Sequence, residues 1–224
     1  MKVKELLGRV TATLQDPEYV RWKKPELIEW FSEAQIAIAK TPGAYSKRAV
    51  VHLKEGTVQS LPADAWELLS ITRNIDEDGV PLTPVRLTTR SLLDAYFPQW
   101  HMIAEKPLVE NYIYDDRFPK EFSIYPPNDG TGAVEVVYAG IPAELTDEED
   151  ELVLDDSYAQ ALVNYALYRA TSKESDYAPG AQNASAWYQS YLGEIQQNTQ
   201  ARGQATPSSA LMPGQAVNAN GGTE

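Results

Sequence analysis

The stretch from Leu154 to Gln200 constrains the fold of this chain most, because its residue spacing predicts two consecutive α-helices. Alanine and tyrosine recur three and four residues apart in both, and residues with that spacing lie on one helix face. In the second helix the recurring residues are Tyr177, Ala181, Ala184, Tyr188, Tyr191 and Ile195. The joint, residues 171–176, is short and polar, so we expect the helices to fold back on each other. The six residues are predicted to pack within the chain or against another copy.

The N-terminal residues predict two more helices, and the middle of the chain predicts β-structure. The first helix covers residues 2–15 and ends at an Asp-Pro pair, and the second begins near Pro25. From about residue 45 to residue 142, apolar residues alternate with polar ones, which is typical of strands. We expect RAVVHL and TVQSLP to pair as a hairpin. Further turns are expected at Asp76–Gly79, Asp115–Pro119 and Asn128–Gly132.

The fold class predicted from these elements is α+β. The N- and C-terminal helices are expected to form a helical bundle, with an antiparallel β-rich region inserted between them. Beyond Gln200 small and polar residues dominate, and such a segment cannot build a core, so an extended C-terminal tail is expected. The predicted divisions are residues 1–44, 45–142, 143–200 and 201–224.

Residues suited to catalysis or to binding a cofactor or metal ion are scarce. The sequence has no cysteine and two histidines, and it contains no phosphate-binding loop, dinucleotide fingerprint or nucleophile elbow. Asp115 and Asp116 are adjacent in a predicted hairpin, so they point to opposite faces and cannot flank one glycosidic bond. The acidic stretch at residues 146–151 is interpreted as a solvated linker. We predict no catalytic residue, cofactor or metal ion. An enzyme or glycan-binding module of unknown specificity stays open as the alternative.

The net charge of −13 restricts the partners. Binding nucleic acid through its phosphates requires clustered Lys and Arg, whereas an acidic wall lets DNA pass without specific binding. No apolar run approaches the ~20 residues of a membrane span, so no membrane partner is expected. The abundance of tyrosine and tryptophan favours contacts with other proteins.

Four stretches, in this order, resemble the head-to-tail adaptor family of short-tailed bacteriophages, also known as tail tubular or gatekeeper proteins. They are KVKELLGRVTATLQDPEYVRWKKPELIEWFSEAQ, YDDRFPKEFSIYPP, VEVVYAGIPAEL and LDDSYAQALVNYALYRATSKESDYAPGAQNASAWYQSYL. The resemblance covers about residues 2–198. It implies a structural virion protein without enzymatic activity, assembled in the host cytoplasm and located in the neck or tail of the virion. Another neck or head-completion protein is the alternative within phages.

The resemblance also implies partners. Family members form a ring, commonly twelve-fold, below the portal, so the expected partners are copies of the same chain, the portal protein, the next tail component (nozzle or tail tube) and passing DNA. The β-region should contact the tail component through a hairpin tip formed by Asp115, Asp116, Arg117, Phe118 and Pro119. The C-terminal tail should bind the portal through the apolar anchors Leu211, Met212 and Val217, with Pro207 and Pro213 limiting the freedom of the unbound chain.

Overall fold

A computed structural model describes residues 1–173 and 178–205 of the chain. Its helices are α1 (Val3–Leu14), α2 (Lys24–Ala39), α3 (Arg90–Tyr96), α4 (Ala159–Lys173) and α5 (Ala178–Ala205), with a 3-10 turn at Asp156–Tyr158. Its strands are β1 (Ser46–His52), β2 (Gly56–Ser60), β3 (Ala65–Ile75), β4 (Pro81–Pro84), β5 (Arg86–Leu87), β6 (Asn111–Ile113), β7 (Glu121–Asn128) and β8 (Ala133–Gly140).

Helices α1, α2, α4 and α5 contribute to one hydrophobic core. The apolar stripe of α1 is buried as its spacing predicts, and it packs with the inner faces of α2 and α4. The loop after α1 is held by Asp16, whose carboxylate accepts hydrogen bonds from the backbone N–H groups of Val20 at 2.8 Å and Trp22 at 2.9 Å. These bonds lower the pKa of Asp16, and the bond from Trp22 has the largest effect. They also hold the loop that leads into α2.

The strands form two four-stranded sheets. The order in the first sheet is β1-β8-β3-β4, and all its pairs are antiparallel. The order in the second is β2-β7-β6-β5, where β5 and β6 are parallel. A second hydrophobic core contains residues of both sheets, among them Leu68 and Val136 from the first and Phe122 and Ile124 from the second.

The predicted α+β class agrees with this structure, but the architecture predicted for it is wrong. The described residues do not form the predicted helical bundle. α4 packs against α1 and α2, but α5 packs extensively on α4 alone, and Tyr191 is the only described α5 side chain buried in the helical core. The β-region is two sheets with their own core, one of them mixed, rather than an antiparallel insert. Residues 201–205 continue α5, so the tail does not begin after Gln200 as predicted.

The predicted pairing of RAVVHL with TVQSLP is also wrong. These segments are β1 and β2, which lie in different sheets. β1 pairs with β8, and β2 pairs with β7. Both strands pair with strands more than sixty residues further along the chain. The prediction failed because alternation specifies which face of a strand is apolar but does not specify its hydrogen-bonding partner.

Candidate functional site

The turn Asp115–Pro119 connects β6 and β7 of the second sheet. The Arg117 guanidinium donates to the Asp115 carboxylate from Nε to Oδ1 at 2.9 Å and from Nη2 to Oδ2 at 2.6 Å. These bonds lower the pKa of Asp115 to about 2, with the side-chain bond as the largest cause. Asp115 is therefore ionised at neutral pH and unsuited to act as a general acid. Phe118, the next residue along the turn, is 62% exposed.

A groove of about 590 Å³ runs beside this turn across the outer face of the second sheet. Val58, Ser123 and Ile113 lie opposite one another on β2, β7 and β6, and all three line the groove. The apolar floor is bordered by charged residues of both signs, namely Arg90, Asp115, Asp116, Arg117 and Glu121. An apolar floor with a charged border is suited to a protein segment. Among the described residues no group of three or more acidic or histidine side chains is placed to hold a metal ion.

A second surface, the α3 patch, was not anticipated from the sequence. It consists of large apolar side chains on α3 and the loop after it, each 37–83% exposed: Leu92, Tyr96, Phe97, Met102 and Ile103. The loop is held by Trp100, which is buried and donates from Nε1 to Asp94 Oδ1 at 2.8 Å. Several large apolar side chains exposed within one short segment are typical of an interaction site, so the α3 patch is a candidate for one. The available signal was the cluster of large apolar residues on both sides of Pro98.

The predicted packing face of α5 meets α4 in the described residues. Ala184 and Tyr191 are 6% and 5% exposed. Tyr191 lies 5.2 Å from Tyr165 between ring centroids, and burial raises its pKa to about 12. The Tyr188 ring lies 4.9 Å from the Tyr168 ring between centroids, tilted by 46°, and Tyr188 is 38% exposed. Ile195 is partly buried against the helical core.

The remaining predicted residues cannot be placed. Tyr177 and the side chain of Ala181 lie outside the described part of the chain. So do the five residues predicted to serve portal binding, Pro207, Leu211, Met212, Pro213 and Val217. The use of any of these residues as an interface stays a prediction.

The acidic stretch at residues 146–151 is solvent-accessible, as interpreted from the sequence, and it also contacts the start of α1. Lys2 and Lys4 donate from Nζ to the Glu149 carboxylate at 2.7 and 2.9 Å. These bonds, Lys2 first, lower the pKa of Glu149 to about 2. The backbone N–H of Lys4, which has no partner within its own helix, donates to the Glu148 carbonyl oxygen at 2.9 Å. The stretch thus caps the start of α1 and links it to a segment 145–147 residues further along the chain.

Comparison with known proteins identifies the family. A family model described as SU10 adaptor protein matches residues 1–212. SU10 is a short-tailed phage, so the match confirms the resemblance to head-to-tail adaptors noted above. No curated protein matches the chain. Among the described helices, none is long and apolar enough to cross a membrane.

Proposed function

The chain belongs to the SU10 adaptor protein family, and we propose that it assembles as a twelve-fold ring joining the portal of a phage head to the tail. Family membership implies a structural component of the virion that interacts with other head or tail proteins. The match over residues 1–212 is the observation that carries this proposal, since it includes both the helices and both sheets. The net charge of −13 supports the further proposal that DNA passes through the ring without being bound.

The groove and the turn beside it are proposed to receive the next tail component. Phe118 offers an exposed aromatic anchor in the turn where Arg117 pairs with Asp115. The floor of Val58 and Ile113 supplies the apolar surface that such an anchor needs around it. Binding here buries aromatic and aliphatic surface, while the charged residues at the border remain accessible to solvent.

The segment after α5 is proposed to bind the portal. The support is its sequence: Leu211, Met212 and Val217 are the large apolar residues in a stretch of small and polar ones. Each copy in a ring would add one such contact, so the total affinity is raised by multivalency. Deleting residues 206–224 removes these anchors and keeps α5 at its described length. Loss of portal binding by this variant is expected, and unchanged binding would contradict the assignment.

The ring itself is tested by mass photometry of the full chain, alone and mixed with purified portal protein. We expect a species of about twelve copies, formed either by the chain alone or on the portal. A chain that stays monomeric in both conditions contradicts the proposal. Binding to glycans by such a monomer would favour the alternative function.

A further inference from the structure

The outward side of α5 differs in chemistry from the rest of this acidic chain. Between Gln182 and Ala201 the exposed residues of the helix include no Asp, Glu, Lys or Arg. Within that segment Gln182, Ser185, Gln189, Leu192 and Gln196 are all exposed, and they recur three and four residues apart. They therefore form one stripe, the α5 outer face, about a third of a turn around the helix from the buried Ala184 and Tyr191.

The α3 patch is also nearly free of charge. Between Leu92 and Ile103 the only acidic or basic residue apart from His101 is Asp94. Its carboxylate already accepts a hydrogen bond from Trp100 Nε1, and Arg90 Nε lies 3.5 Å from its Oδ2. His101 is stacked on Trp100, and its Nδ1 lies 3.1 Å from Thr57 Oγ1. The patch therefore presents apolar surface next to charges that already have partners.

Surfaces with few charges let copies of this acidic chain associate at a low electrostatic cost. Each copy carries a net charge of −13, so contact between acidic surfaces adds repulsion and the cost of removing water from charges. The α5 outer face and the α3 patch avoid both costs. They lie on different parts of the fold, since α5 packs on the helical core and Phe97 stacks on Tyr125 of the second sheet. Two different faces on one chain are what a head-to-tail contact in a closed ring requires.

We propose that the α3 patch of one copy packs against the α5 outer face of the next copy. Leu192 is the apolar residue of the α5 outer face and is 42% exposed. In this contact it packs against Phe97 and Met102 of the next copy. The glutamine side chains around it form the polar border, where they can hydrogen-bond without a buried charge. The inference rests on the ring of the proposed function and names the two surfaces that build it.

Cysteine cross-linking tests this contact directly, because the chain has no native cysteine. The full chain is prepared with Met102→Cys, with Gln189→Cys and with both, and each is treated with a short bismaleimide cross-linker, alone and with portal protein. We expect the double variant to give a ladder of dimers, trimers and larger species. The matched control, Met102→Cys with Thr13→Cys on the exposed side of α1, should give no ladder.

Mixing the two single variants, one of them tagged, distinguishes a head-to-tail contact from packing of one α3 patch against another. A head-to-tail contact gives covalent dimers containing one chain of each type. Dimers of Met102→Cys chains alone would instead show patch-to-patch packing and overturn the inference. Rings seen by mass photometry in samples without a ladder contradict these two surfaces and leave the proposed function standing. Samples with neither rings nor cross-links contradict both.

Discussion

The Asn74 side chain forms hydrogen bonds with both backbone polar groups of Val109. The Val109 N–H donates to Asn74 Oδ1 at 2.8 Å, and Asn74 Nδ2 donates to the Val109 carbonyl oxygen at 2.8 Å. Both residues are buried. Asn74 lies in β3 of the first sheet, and Val109 lies just before β6 of the second. The Asn74 amide therefore hydrogen-bonds Val109 in the way a neighbouring strand would, and it links the two sheets. It also fixes the point at which the loop carrying the α3 patch returns to the core.

Replacing Asn74 with Ala is expected to destabilise the protein by about 2–4 kcal/mol, because it leaves the buried N–H and C=O of Val109 without partners. The free energy of unfolding is measured by urea denaturation followed by circular dichroism. Asn111→Ala is the matched control, since the Asn111 side chain makes one long, exposed hydrogen bond to the Arg86 carbonyl oxygen at 3.4 Å. Equal losses for the two variants would show that Asn74 does not hold the sheets together.

Enlarging Ala184 is expected to disturb the α4–α5 contact. The side chain is buried, so Ala184→Phe overpacks this contact and should cost about 1–3 kcal/mol. The change is read from the melting temperature. Ala186→Phe on the exposed side of the same helix should leave the melting temperature nearly unchanged. A stable Ala184→Phe variant would place this face away from α4.

The Lys2–Glu149–Lys4 cluster predicts a dependence of stability on acidic pH. The folded-state pKa of Glu149 is lowered from 4.5 to about 2, so its contribution is fully present above pH 4.5 and is lost as the pH falls towards 2. Glu149→Gln should therefore flatten the stability curve in that window, and added salt should have a similar effect on the unmodified chain. Urea denaturation at several pH values gives the curves. The same flattening in Glu18→Gln, an exposed carboxyl outside the cluster, would refute the assignment.

Phe118→Ser is expected to impair recruitment of the next tail component without affecting the fold. The ring is exposed, so its removal costs the chain little stability but deletes the proposed anchor. Particles produced with the variant are inspected by negative-stain electron microscopy, and the fraction of heads carrying complete tails is counted. Val20→Ser, which removes an exposed apolar side chain near α2, serves as the control. Complete tails on Phe118→Ser particles would exclude this role for the groove.

Arg202 is expected to anchor the end of α5. Its Nη1 donates to the Gly43 carbonyl oxygen at 3.1 Å, and its guanidinium lies over the Tyr158 ring at 5.3 Å. Arg202→Ala should accelerate hydrogen exchange of the amides near the end of the helix by several-fold, because local opening then breaks fewer contacts. Gln200→Ala, an exposed position one half-turn earlier, should not. Equal exchange in both variants would mean that Tyr191 and its neighbours alone hold the helix.

Much of the local structure follows from the sequence. The stripe of α1, the proline that opens α2 and the alanine–tyrosine spacing of α5 all predict helices at the positions where the structure has them. In each case residues three to four apart interact directly, so the information lies within a few turns. The order of motifs was also sufficient to indicate the adaptor family, which the match over residues 1–212 confirms.

Tertiary structure alone decided which surfaces are covered. Alternation in β1 and β2 identifies an apolar face on each strand, yet their partners, β8 and β7, come from remote parts of the chain. The partners of Glu149 are lysines near the N-terminus, 145–147 residues away. The apolar residues of the α3 patch stay exposed because no described element packs over them. Periodicity records how residues are arranged within one element. Which element covers that face depends on long-range packing, and that information is absent from local spacing.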